Sequence, residues 1–207
     1  LSGGPTAFAE TYRDGDWETS DLTALMRFAT ANERHFGTTV QPNIVTRLAA
    51  RLQHRLRANS RSQARRNIAH HYDLGNEFYG HWLDATMTYS AALFADENES
   101  LEAAQVRKYA RLADLVGMQD GDDVLEIGCG WGGFVDYAAS RFDARITGVS
   151  ISTAQLEYAA ARIRDARLAS RATVANRDYR DIEGKYDRIV SIEMFEAVGE
   201  AYWQTYA

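Results

Sequence analysis

A chain of 207 residues that is 45% apolar and 25% charged can bury one good core and belongs among ordinary globular proteins. Its single cysteine, Cys129, excludes internal disulfides and points to a reducing, cytoplasmic setting; no stretch has the length of a membrane-spanning helix, and the N-terminal residues lack the basic-then-apolar build of a signal peptide. The formal charge of −6 argues against general nucleic-acid binding.

The N-terminal region, to residue 67, reads as helical. Ser20 or Asp21 caps a short amphipathic helix carrying Leu22, Leu25, Met26 and Ala29. A longer helix is expected after Pro42, with Val45, Leu48, Ala49, Leu52 and Leu56 on one face. No acidic residue occurs between Gln41 and Tyr72, while Arg47, Arg51, Arg55, Arg57, Arg61, Arg65 and Arg66 crowd together. Such a basic segment, 47–66, is either a solvated helix face or a surface for anionic lipid head groups.

From His70 to Phe94 the chain is rich in aromatics without clean periodicity, the pattern of short helices and loops. It serves either as a packed connector or as a lid over a partly open site. Beyond it, helices at 101–116, 131–141 and 153–165 alternate with strands at 123–127, 145–151, 172–176 and 186–192. That order predicts an α/β domain over 68–207 with a parallel sheet and helices on both faces. A start at Leu1 and a stop soon after the fourth strand lead us to expect part of a longer protein, its sheet incomplete at an exposed edge.

The first strand runs into VLEIGCGWGG, with Gly128, Gly130, Gly132 and Gly133 at the strand-to-helix turn. Glycine there lets the backbone approach a ligand closely. A nicotinamide site wants an acid at the end of the second strand, yet no Asp or Glu lies between Arg145 and Leu156. Glu126, two residues before the first glycine, instead suits a cofactor that needs acceptors for an amino group. Cys129 reads as a small buried filler. Ser152 and Gln155 fit a capping box, and Gln155 also faces the crevice beyond the strand ends. The histidines show no metal-ligand spacing, so no metal is expected.

HYDLGNEFY, TYSAALF, VLEIGCGWGG, GVSIS-x-x-Q, RDYRD and DRIVSIEMFEAVG occur in that order, and together they resemble the cyclopropane-fatty-acyl-phospholipid synthase and mycolic acid cyclopropane synthase family. The resemblance implies a Rossmann-like class I methyltransferase that moves the methyl group of S-adenosylmethionine to a cis double bond of an acyl chain. It places Tyr89 and Ser90 on the cofactor, with Glu126, Gly128, Cys129, Gly130 and Gly132 beneath it. Ser150, Ile151 and Gln155 line its methionine and ribose side, and Asp178 and Tyr179 flank its adenine. It further implies a bicarbonate ion as base, held by Glu196 and by backbone at Ala91 and Ile192.

Attack by an alkene leaves a carbocation, which aromatic faces such as Tyr89, Tyr179 or Phe195 stabilise without bonding. The resemblance picks Glu196, and with Tyr89 it makes the candidate catalytic pair. Glu193 is expected at the rim or surface. Ala91 and Ala197 stand where the family often has Cys and His, which opens the product to a methyl branch or a methylene as well as a ring. The expected partner is a phospholipid acyl chain at the inner membrane face, with a homodimer as a further expectation. The alternatives are a lipid-binding or assembly subunit of the same fold and a small-molecule methyltransferase.

Overall fold

The computed structural model describes residues 4–32 and 75–206, and the chain divides into two compact units, Leu1–Ala58 and Asn59–Ala207. The helix expected after Pro42, the arginine segment, the boundary at 67 and residues 70–74 of the aromatic segment lie outside the described residues.

In the first unit α1 spans Gly4–Arg13 and α2 spans Leu22–Ala31. α2 begins where its cap predicts, because the Asp21 carboxylate accepts the Ala24 N–H at 2.8 Å. α1 has no counterpart in the sequence reading. Its apolar signal comes from a tertiary contact: Phe8 stacks on Trp17 at 4.4 Å, and the Trp17 indole N–H donates to Thr11 Oγ1 at 3.0 Å.

The second unit opens with α3 (Gly75–Gly80) and irregular chain to Ser100, whose hydroxyl caps α4 (Leu101–Leu115). There follow β1 (Asp123–Ile127), α5 (Gly133–Arg141), β2 (Arg145–Ser150), α6 (Thr153–Asp165), β3 (Ala172–Asn176) and β4 (Arg188–Ser191). Two short helices, α7 (Phe195–Val198) and α8 (Trp203–Tyr206), close the described chain.

All strands pair in parallel in the order β3-β2-β1-β4, with Ile127 opposite both Val149 and Ser191. The chain winds one way through β1, β2 and β3, then crosses to the other side of β1 for β4. That reversal opens a crevice at the C-terminal ends of β1 and β4, the usual ligand position in such sheets.

Alternation along β1 explains the layering. Val124 faces one side with Phe134, Val135, Ala138, Ile146 and Ile163, under α4, α5 and α6. Leu125 and Ile127 face the other with Val149, under Tyr179, Ile182, Tyr186, Met194 and Tyr206. Thus the three long helices share one face, and among the described residues the second face is covered by loops and short helices rather than by a matching helical layer. Fully burying side chains such as Phe134, Leu125 and Ile146 contributes about 1.5–3 kcal/mol each.

Candidate active site

A cavity of about 940 Å³ opens at the switch point between β1 and β4. Its floor is the glycine turn. The N–H groups of Gly128 and Cys129 both donate to the Val149 carbonyl, at 2.9 and 3.0 Å, so β2 holds the turn in place. Gly128 and Gly130 have φ of +83° and +52°, in the left-handed region that favours glycine.

The glycines divide by role. A Cβ on Gly130 would find nothing nearer than Gln155 Nε2 at 3.9 Å, so this residue leaves room in the cavity. A Cβ on Gly128 would press on Met194 Cγ at 3.1 Å, which lets β1 and the segment after β4 approach closely. Gly132, expected beneath the cofactor, is not in the cavity wall. A Cβ there would lie 2.9 Å from Ala159 Cβ, so Gly132 serves the packing of α5 on α6.

The other expected residues converge on the cavity wall: Tyr89, Ser90 and Ala91; Glu126 and Cys129; Ser150, Ile151 and Gln155; Asp178 and Tyr179; Ile192 and Glu196. Gln155 departs from a full capping box. Its backbone N–H donates to Ser152 Oγ at 3.5 Å, but its side-chain oxygen accepts from Ser150 Oγ at 3.3 Å, on the cavity side. Asp178 is buried and held by Arg180, whose Nη2 lies 2.6 Å from its carboxylate. Arg180 also lies over the Tyr179 ring, 5.4 Å from its centroid. Phe195 is turned away from the cavity, stacked on Trp203 at 5.0 Å, and so is no candidate for stabilising a cation there.

Residues 75–94 pack against the glycine turn as a connector and also supply part of the cavity wall. Trp131 is buried beside Tyr79 and Met87, and its indole N–H donates to Asn76 Oδ1 at 2.7 Å. Tyr89 and Trp82 lie edge to face at 5.5 Å, each partly exposed at the cavity.

Two polar residues of α4, one in the cavity wall and one holding the loop at Ser90 and Ala91, were not anticipated from the sequence. Gln105 is buried, donates to the Ser90 carbonyl at 2.8 Å, and leaves its Oε1 without a hydrogen-bond partner among the described residues. Lys108 donates to Ser90 Oγ at 2.5 Å and to the Ala91 carbonyl at 2.9 Å. Burial lowers the Lys108 ammonium to about 8, against the pull of Glu193, Asp84 and Glu126. Burial raises the Glu126 carboxyl to about 8, opposed by the Val135 N–H and by Lys108. Cys129 is pushed upward by burial and then by the Glu126 charge, which suits an inert filler.

Glu193 is exposed, as expected of a rim residue, but it also lines the cavity, its backbone at φ +47° and its Oε1 accepting the Ala91 N–H at 2.7 Å. The amide assigned to bicarbonate is therefore occupied by the chain's own carboxylate. Met194 and Val198 turn inward in this short segment, and alternation along β4 does not extend past Ser191, which is why a strand pattern did not show Glu193 meeting the Ala91 amide.

The residues present fit S-adenosylmethionine. Glu126 Oε2 and Gln105 Oε1 are the buried side-chain atoms without partners among the described residues, and both residues wall the cavity above a glycine turn with room for a ligand. Unpaired acceptors suit an amino group and hydroxyls, whereas a dinucleotide would want the acid that β2 lacks.

A parallel 3-2-1-4 sheet with this turn under its switch point defines a class I S-adenosylmethionine-dependent methyltransferase fold, shared with coclaurine N-methyltransferase at a TM-score of 0.68 and 24% identity over 92% of this chain and 56% of that one. Residues 59–207 match the mycolic acid cyclopropane synthetase family, and the chain belongs to it. It is 40% identical over 98% of its length to the tuberculostearic acid methyltransferase UfaA1 of Mycobacterium tuberculosis, covering 49% of that protein. It is 37% identical over its whole length to the cyclopropane-fatty-acyl-phospholipid synthase of Escherichia coli, covering 52% of that protein. The crystal structure of mycolic acid cyclopropane synthase CmaA1 complexed with SAH and CTAB matches 67% of this chain and 48% of that one, at 30% identity and a TM-score of 0.64. The chain thus spans about half the length of the curated relatives it matches.

Proposed function

We propose that the protein methylates the double bond of unsaturated fatty acyl chains in phospholipids, giving a cyclopropane, methyl-branched or methylene product. The observation that carries this reading is the joining of two walls in one cavity: the glycine turn with the partnerless Oε2 of Glu126, and the aromatic Trp82–Tyr89 segment clamped onto it through Trp131 and Asn76. Relatives named as a tuberculostearic acid methyltransferase and a cyclopropane-fatty-acyl-phospholipid synthase support it.

When bound, S-adenosylmethionine supplies an electrophilic methyl group. Glu126 and Gln105 would accept from its amino and hydroxyl donors, Ser150 and Gln155 would hold its methionine and ribose side, and Asp178 and Tyr179 its adenine. Tyr89 offers an aromatic face to positive charge on the acyl chain, and the aromatic wall limits water at the cation. Docking of the arginine segment 47–66 on anionic lipid at the inner membrane face belongs to the same proposal, as does a homodimer. Among the described residues no helix is long and apolar enough to cross a membrane.

The test is methyl transfer from labelled S-adenosylmethionine by the full-length protein, with mass spectrometry of lipids from cells that express it. Label in lipid is expected, and the fragments distinguish ring, branch and methylene. Label confined to soluble metabolites would point to a small-molecule methyltransferase. Failure to bind the cofactor at all would point to a non-catalytic subunit.

A further inference from the structure

The contact between Glu193 and Ala91 joins parts of the chain 102 residues apart. Glu193 stands just beyond β4 in a left-handed conformation that costs a residue with a side chain about 1–2 kcal/mol, and it persists only where surrounding structure holds it. The fold meets that cost to bring a carboxylate onto the Ala91 amide at the cavity wall. Lys108 anchors the same loop from the other side, bonding to Ser90 Oγ and the Ala91 carbonyl, and it lies in the field of Glu193. The second oxygen, Oε2, has no hydrogen-bond partner among the described residues and belongs to a residue that walls the cavity.

We propose that Glu193 is the built-in base of this site: its carboxylate occupies the small-oxyanion position on the Ala91 N–H and accepts the proton released after methyl transfer. The inference rests on the acyl-methylation reading. Once the methyl–carbon bond has formed, one C–H bond breaks and its proton passes to a Glu193 oxygen. If that bond belongs to the new methyl group, the freed pair closes a cyclopropane ring; if it belongs to a chain carbon beside the cation, the pair forms a double bond. In neither case does the site require an external anion, because the charge and the planar pair of oxygens are already supplied by the chain.

The test uses the full-length protein with labelled S-adenosylmethionine and vesicles of dioleoyl phosphatidylglycerol. Wild type should keep its rate when bicarbonate is stripped from the buffer. Glu193→Gln, which can still accept the Ala91 N–H but cannot take a proton, should lose about 100-fold or more in rate while binding the cofactor normally. Glu193→Ala should lose a similar factor and regain part of it on adding formate or bicarbonate. Carbon-13 bicarbonate should broaden on titration with the Ala variant and not with wild type, a readout that needs no turnover. A wild-type rate that falls when bicarbonate is removed, or a Gln variant of full activity, would overturn the proposal. Absence of label in lipid with wild type would instead overturn the methylation reading, while the bicarbonate titration would still test who occupies the amide.

Discussion

Arg162, on α6, donates through Nη1 to the Thr86 carbonyl at 2.7 Å although 76 residues separate them in sequence. The same guanidinium bonds the carbonyls of Ala85 at 2.9 Å and Trp131 at 3.2 Å, so one side chain ties the irregular segment before α4 to the glycine turn. Replacing it removes the hydrogen bonds from its guanidinium to three carbonyls. Arg162→Leu should therefore cost about 2 kcal/mol in urea unfolding. Cofactor affinity should fall with it, because Tyr89 and Ser90 follow directly on the segment it holds.

The glycines should separate in mutagenesis. Gly132→Ala combines a left-handed backbone at φ +79° with a contact at 2.9 Å to Ala159, and should destabilise the fold by about 2–4 kcal/mol in thermal or denaturant unfolding. Gly130→Ala has space for its methyl group and should cost only about 1–2 kcal/mol for its backbone. Its larger effect should appear in titration with S-adenosylmethionine, where the methyl group intrudes on the ligand.

Glu126 and Lys108 give the pH dependence. The folded Glu126 carboxyl titrates at about 8 against an ordinary 4.5, so the folded state binds more protons than the unfolded one between those values. Stability is then lost as pH rises through that window. Glu126→Gln lacks this titration, and its melting temperature should rise relative to wild type as pH goes from 4.5 toward 8, while its cofactor affinity falls. Lys108 acts above that range: lowered from 10.5 to about 8, it restores stability as pH climbs between those values, and Lys108→Met should remove that rise.

Asp178 owes its position to Arg180, which holds it through Nε at 2.8 Å and Nη2 at 2.6 Å. Arg180→Ala should leave a buried carboxylate without its main partner and free the Tyr179 ring. About tenfold weaker cofactor binding by calorimetry is expected, with a loss of about 1–3 kcal/mol in stability.

The α/β alternation, the bounds of β1, α6 and β3, and the glycine turn were legible because each rests on local rules: period, caps and the conformational freedom of glycine. Hence Asp21 and Ser152 mark helix starts correctly. The failures have a common origin. Gly132 looks like its neighbours in a motif, and only the position of Ala159 on another helix shows that its missing Cβ serves packing. Phe195 and Glu193 follow a strand by a few residues, and there the chain leaves the strand's alternation. Gln105 and Lys108 sit on an ordinary amphipathic helix, where nothing in their spacing shows that one walls the cavity and the other holds the Ser90–Ala91 loop.

By itself the sequence determined the sheet, its turn and the kinship, since backbone preferences and motif order are written along the chain. The tertiary structure decided which carboxylate meets the Ala91 amide. That choice depends on how β4, the loop at Ser90 and α4 pack together, and on a left-handed residue at 193 whose cost only those contacts can offset.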